Sequence, residues 1–210
     1  MNKQTRKIFF EKLSEHFPSP KTELDFVNVY TLLVAVVLSA QSTDKGVNKA
    51  TKSLFQIVRT PEKMVSLGEE KLQAYIKTIG LYKTKSKNII KLSNLLINKF
   101  DSKVPCSREN LMELPGVGRK TANVVLNVAF DMPTMPVDTH VFRVSNRTGL
   151  AKGKTPEEVE NKLIKAVPQD FAKDAHHLLI LLGRYICIAR KPKCSICPVN
   201  KECSFKAKRI

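Results

Sequence analysis

Leu114-Pro115-Gly116-Val117-Gly118-Arg119-Lys120-Thr121-Ala122 separates two stretches of helical periodicity, and the rest of the chain is read around it. Ser107 opens a short helix that Pro115 ends. The two glycines permit backbone angles that expose consecutive N–H groups, and a second helix starts directly afterwards. Together these make an anion nest at a helix N-terminus, sized for one phosphate. Gly118-Arg119-Lys120-Thr121 looks like the end of a Walker A loop. That motif needs G-x-x-x-x-G-K-[ST] following a strand, and here the glycine spacing differs and a helix precedes, so a nucleotide cofactor is not expected. A plain helix–helix turn also explains the pattern. A helix-hairpin-helix element holding a DNA backbone explains it together with the cations, through contacts that position without reading sequence.

The periodicity is helical in both directions from this turn. Val27 to Ala40 is apolar on most sides and predicts a buried central helix. Thr43 or Asp44 can cap the next, whose stripe is Val47, Ala50, Leu54 and Ile57. Leu72, Ile76 and Ile79 mark another, stopped at Gly80 as a C′ glycine. Ile89, Leu92, Leu96 and Phe100 repeat the pattern. Thr155-Pro156-Glu157-Glu158 reads as a capping box with proline at the first helical position. Asp170 to Ala189 predicts one long, largely buried helix. No alternating strand is convincing, and the fold class is all-α.

The formal net charge of +17 over 210 residues points to a polyanionic partner, nucleic acid before membrane. Seven lysines and no acid lie between Lys71 and Phe100, and from Arg184 onward eight basic residues face only Glu202. Most single lysines are simply solvated, but two acid-free stretches of this length suit a phosphate surface. The longest purely apolar run, Leu32 to Leu38, falls far short of the ~20 residues of a bilayer span, and no signal core follows the basic N-terminus.

Three groups can carry chemistry. Lys120 lies about two residues into the helix after the nest, where the positive helix end, Arg119 and partial burial would all disfavour its ammonium form. A lysine so lowered is an amine nucleophile toward a sugar C1′ or a carbonyl. Asp138, in Pro136-Val137-Asp138-Thr139-His140, stands just before an apolar-periodic segment. As an N-cap its carboxylate is tied to backbone N–H groups and stays ionised, able to stabilise positive charge at a sugar carbon; His140 caps or packs. Cys187, Cys194, Cys197 and Cys203 crowd one stretch while Cys106 stands alone. Four clustered thiols without an export signal read as metal ligands in a reducing compartment, for zinc or an iron–sulfur cluster. The loop Ile188 to Lys193 sets Arg190, Lys191 and Lys193 in a metal-pinned turn suited to phosphate.

Taken together, the chain resembles the endonuclease III family, the iron–sulfur helix-hairpin-helix DNA glycosylases. The resemblance runs from the first residues to Cys203. It rests on Leu38 to Asp44, Tyr75 to Tyr82, Leu114 to Asn127, Val137 to His140, Gly183-Arg184-Tyr185 and the cysteine loop. It implies a bifunctional enzyme that excises oxidised pyrimidines from damaged double-stranded DNA and then cuts the strand. By the match, Lys120 is the nucleophile, Asp138 the assisting carboxylate, and the four cysteines ligate one [4Fe–4S] cluster. Gly116, Gly118, Arg119, Thr121, Arg190, Lys191 and Lys193 contact DNA, and Gln41 and Leu81 wedge into the duplex. The resemblance further implies two helical domains with a cleft between them. A six-helix barrel over 22–132 holds the hairpin motif at about 107–130; residues 1–21 with 133–210 form a cluster domain whose loop is 187–203. A cytoplasmic monomer, nucleoid-associated if bacterial, is expected.

The nearest alternative is the adenine-mismatch glycosylase branch, which lacks the nucleophilic lysine, uses a glutamate in the early helix and carries an extra C-terminal domain. Here Lys120 is present and no carboxylate occurs between Asp25 and Asp44. A DNA-binding module without catalysis is the alternative from another class, separable by a Lys120→Gln variant that binds but does not cleave.

Overall fold

The computed structural model describes residues 1–208, and no strand occurs among them. In chain order the helices are α1 Lys3–His16, α2 Val29–Ser39, α3 Asp44–Ile57, α4 Pro61–Leu67, α5 Glu69–Ile76, α6 Tyr82–Phe100, α7 Arg108–Met112, α8 Arg119–Phe130, α9 Thr139–Thr148, α10 Pro156–Ala166 and α11 Ala175–Leu181. They form two compact units: Glu23–Asp131, and Met1–Thr22 together with the chain from Met132 onward.

The unit of residues 23–131 is organised by α2. Every residue from Tyr30 to Leu38 is buried, so the helix has no face to offer water and must be enclosed. It packs against α3, α6 and α8. Its start is fixed by Asn28, whose side chain accepts from Thr31 N at 2.9 Å while Thr31 Oγ1 accepts from Asn28 N at 2.9 Å. Asn28 also donates to Arg59 O at 2.8 Å, tying the cap to the loop before α4. The amphipathic helices around it bury one stripe each: Val47, Ala50 and Leu54 of α3; Ile89, Leu92 and Leu96 of α6; Ala122, Val125 and Leu126 of α8.

In the second unit α1 supplies Phe9, Phe10 and Leu13 to the same core as Val141 and Val144 of α9, Val159 and Leu163 of α10 and Leu178 and Leu179 of α11. Phe10 stacks on Phe171 with ring centroids 5.7 Å apart. These apolar contacts bring the first helix of the chain onto its last third.

Several sequence expectations fail. Ile57 of the α3 stripe is exposed. Thr155 caps α10, but Glu158 accepts from Lys154 N at 2.9 Å instead of closing a capping box. The long helix over Asp170 to Ala189 is broken into a 3₁₀ turn at Gln169–Phe171, α11, and a π-helical turn at Leu182–Ile186. Gly183 explains the π turn: a Cβ there would lie 2.9 Å from His140 Cβ, so the chain widens where it approaches α9 most closely. Gly80 is not a left-handed C′ residue either. Helix α5 ends at Ile76, and the left-handed position is Leu81, φ 59°.

Leu33→Ala is expected to cost about 2–5 kcal/mol through the cavity it leaves in the enclosed helix, and Asn28→Ala about 1 kcal/mol through the lost cap. Thermal melts of the two variants check this ranking; equal midpoints would mean that burial of α2 does not dominate its unit.

Candidate active site

The turn between α7 and α8 is built as the glycine pattern suggests, with one change. Ser107 caps α7 by accepting from Asn110 N at 3.2 Å. Leu114 and Val117 are buried and joined by a Val117 N to Leu114 O bond of 3.0 Å, which anchors the turn in the core. Gly116 has φ 84°, which favours glycine, and a Cβ there would also crowd Asn88 Nδ2 at 3.2 Å. Gly118 is different: its backbone is extended, φ −92° and ψ 177°, which any residue adopts. Nothing lies within 4 Å of its absent Cβ, leaving the start of α8 open to an approaching group. No side chain caps α8, so its first-turn amides carry the partial positive charge of the helix end.

Lys120 is the second residue of α8 and is exposed, as are Gly116 and Gly118, while Arg119 and Thr121 are half-buried. The partial burial expected for Lys120 is therefore not present in the protein alone. Gln41 and Leu81 belong to the same unit. Both are exposed, and both hold left-handed backbones, φ 54° and 59°. Their turns adjoin, since a Cβ on Gly80 would lie 3.7 Å from Gln41 O. A left-handed leucine with its side chain 60% exposed is unfavourable on both backbone and solvation grounds.

In the other unit Asp138 caps α9. Its Oδ1 accepts from His140 N at 2.9 Å and Val141 N at 2.8 Å. Oδ1 thus anchors the carboxylate to the first turn of the helix. One turn further along, Arg143 donates from Nε to Cys187 O at 3.0 Å and from Nη2 to Gly183 O at 2.8 Å. Arg147 donates to Ile188 O and Ala189 O, both at 2.7 Å, approaches Cys187 Sγ at 3.7 Å and stacks over the Phe205 ring at 5.1 Å. The two arginines strap the start of the cysteine loop to the helix that Asp138 begins. Sequence reading gave neither a role, although their spacing of four from each other puts them on one helical face.

Cys187, Cys194, Cys197 and Cys203 line one cavity, walled by Leu182, Ile186, Pro192 and Phe205. Burial pushes the Cys197 thiol up to about 11 and raises that of Cys203, and neighbouring thiolates add to both. Such a set binds a metal centre only by giving up its protons to it. Among the described residues no three His, Cys, Asp or Glu side chains converge on a single-ion position. Four thiols around one apolar-walled cavity suit an iron–sulfur cluster held at its corners. Cys106 is exposed and takes no part. Arg190, Lys191 and Lys193 are all exposed on the loop, with Lys191 left-handed at φ 54°. Arg209, the last cation of the basic C-terminal stretch, lies outside the described residues.

Comparison with known proteins bears on the whole chain. Residues 34–169 match the HhH-GPD superfamily of base excision DNA repair proteins, and residues 187–203 match the iron–sulfur binding domain of endonuclease III. The chain is 58% identical over 205 residues to endonuclease III of Rickettsia conorii, covering 98% of each. It is 54% identical over 208 residues to endonuclease III of Escherichia coli K12, covering 99% of each. Its structure superposes with a TM-score of 0.91, at 45% identity and over 97% of this chain and 96% of the other, on a trapped endonuclease III–DNA covalent intermediate in an estranged-adenine complex. The adenine-mismatch and non-catalytic alternatives thus give way: an all-α chain with an open α8 N-terminus, a capping aspartate and a four-cysteine iron–sulfur loop belongs to the endonuclease III family of the HhH-GPD superfamily.

Proposed function

We propose that this protein removes oxidised pyrimidines from duplex DNA and cleaves the strand 3′ to the resulting abasic site by β-elimination, with Lys120 and Asp138 as its catalytic residues. The observation that carries the reading is Lys120 in the first turn of α8, beside amides no side chain caps, in a chain so similar to one trapped covalently on DNA.

The exposed Gly116–Gly118 turn and the half-buried Arg119 and Thr121 receive a phosphate of the strand, and Gln41 and Leu81 fill the space left when the damaged nucleotide turns out. The partial positive charge of α8, about half an elementary charge, disfavours the ammonium form of Lys120, and DNA lying over the side chain supplies the burial that the free protein lacks. The neutral amine attacks C1′; the bond from C1′ to the base breaks, and the base departs with a proton. Asp138 Oδ2 stabilises the cationic character that develops at C1′. The sugar opens to a Schiff base on Lys120, which acidifies the C2′ proton. Loss of that proton expels the 3′ phosphate, and hydrolysis of the imine frees the enzyme. Cys187, Cys194, Cys197 and Cys203 hold one [4Fe–4S] cluster, which when bound cross-links the C-terminal loop. Arg190, Lys191 and Lys193 on that loop grip the backbone. The protein works as a monomer in the cytoplasm without a nucleotide cofactor. Among the described residues no helix is long and apolar enough to cross a membrane.

Lys120→Gln should lower base release and strand cleavage by more than about 10³-fold and abolish borohydride trapping on DNA; a near-normal rate with an adduct still formed would disprove the mechanism. Asp138→Asn separates cap from charge, because asparagine caps as well as aspartate. Its melting temperature should stay near that of the parent while base release falls by about 10²–10³-fold. Serine at any of the four loop cysteines should bleach the visible absorption of the cluster and expose the loop to protease, whereas Cys106→Ser should change neither. Replacing Arg190, Lys191 and Lys193 together by alanine should reduce the salt slope of binding to undamaged duplex by up to about 3, with lesion preference kept. An unchanged slope with altered preference would mean that the loop reads the lesion.

A further inference from the structure

Six of the seven lysines between Lys71 and Phe100 are exposed, and the seventh, Lys85, is 5% exposed. Its ammonium donates to Leu38 O at 2.9 Å and to Ser42 Oγ at 3.0 Å. Leu38 lies in the last turn of α2, where carbonyls lack intrahelical partners and the helix end is negative, so the site suits a cation. Burial nevertheless lowers the lysine from its ordinary range, and an apolar residue would satisfy the core at less cost.

The contact makes sense by what it encloses. Leu38 and Ser42 flank Gln41 in sequence, so one ammonium fixes the chain on both sides of that residue. The helix bearing Lys85 starts at Leu81, and Lys85 N donates to Leu81 O at 3.0 Å. Lys85 therefore ties together the two adjoining turns whose tips, Gln41 and Leu81, are both left-handed. Such a conformation costs a non-glycine residue of order 1–3 kcal/mol and persists only where its surroundings impose it.

We propose that Lys85 is a positioning residue for duplex opening: it holds Gln41 and Leu81 outward and side by side before DNA arrives, so that the wedge is not ordered at the expense of flipping. The inference rests on the reading of Gln41 and Leu81 as wedges.

The test compares single-turnover base release by the cluster-loaded enzyme from two duplexes. One holds a thymine glycol paired with adenine; in the other the same thymine glycol is in a bulge, with no partner to displace. Lys85→Met should lose about tenfold on the paired lesion and stay within twofold of the parent on the bulged one. A purely structural role would lower both rates together; equal losses, or no loss on the paired lesion, overturn the proposal. Lys85→Gln, which keeps a polar end in the same space, gives the same comparison if the methionine variant does not fold. A Gln41→Ala/Leu81→Ala double variant should show the same selective loss. If it does not, the wedge reading fails and this inference with it; if it does while the Lys85 variants show none, this inference alone fails.

Discussion

The first turn of an α-helix presents amide groups that have no partner within the helix, and the placement of functional groups in this protein follows from how those amides are used. Most of its helices are closed by a side chain: Asn2, Asn28, Thr43, Thr60, Ser107 and Thr155 each accept a bond from the turn they precede. Helices α5, α6, α8 and α11 lack such a cap, and α9 is closed by a carboxylate. At α8 the cap position is Gly118, which has no side chain to give to the turn that carries Lys120. At α9 the cap is a carboxylate, which gives one oxygen to two amides. An open end suits an incoming phosphate and a neutral amine; an end closed by Asp138 suits a cationic sugar carbon. The same backbone electrostatics thus prepares a nucleophile and a counter-charge of opposite character.

The cysteine loop meets a different need. After Ile186 the chain has only a short 3₁₀ turn at Cys194–Ile196, and Val199 is its one fully buried apolar residue among those described. So little apolar burial cannot order a segment of this length, and a metal cluster substitutes for a core. Arg143 and Arg147 carry the order of the loop onto α9 through backbone carbonyls. The cations at 190, 191 and 193 are thereby held on a fixed frame, which limits the entropy lost when they meet a phosphate backbone.

Legibility differed with the range of the interaction responsible. The all-helical fold, the enclosed α2, the caps at Thr43, Ser107 and Thr155 and the capping role of Asp138 were readable, because each depends on residues within one or two turns. The four-cysteine spacing was readable as a metal loop for the same reason. The break between Asp170 and Ala189 was not, since the apolar residues there are periodic enough for one helix. The chain leaves the helix at residues 172–174, and its later widening into a π turn goes with the close approach of Gly183 to His140, more than forty positions away. The left-handed turn falls on Leu81, although Gly80 beside it would adopt that conformation at less cost.

By itself, then, the sequence determined that the fold is all-helical, that Thr43, Ser107, Asp138 and Thr155 cap helices, where the thiols gather and that the partner is a polyanion; propensity, capping and charge are local or additive. Only the tertiary structure decided that Lys120 is exposed while Lys85 is buried, that Arg143 and Arg147 face the cysteine loop, and that Gln41 and Leu81 stand on adjoining turns. Lysine and arginine have long apolar stems and can end in water or on a distant carbonyl with equal chemical sense. Which of these occurs is settled by what the folded chain brings within reach, and no local pattern records it.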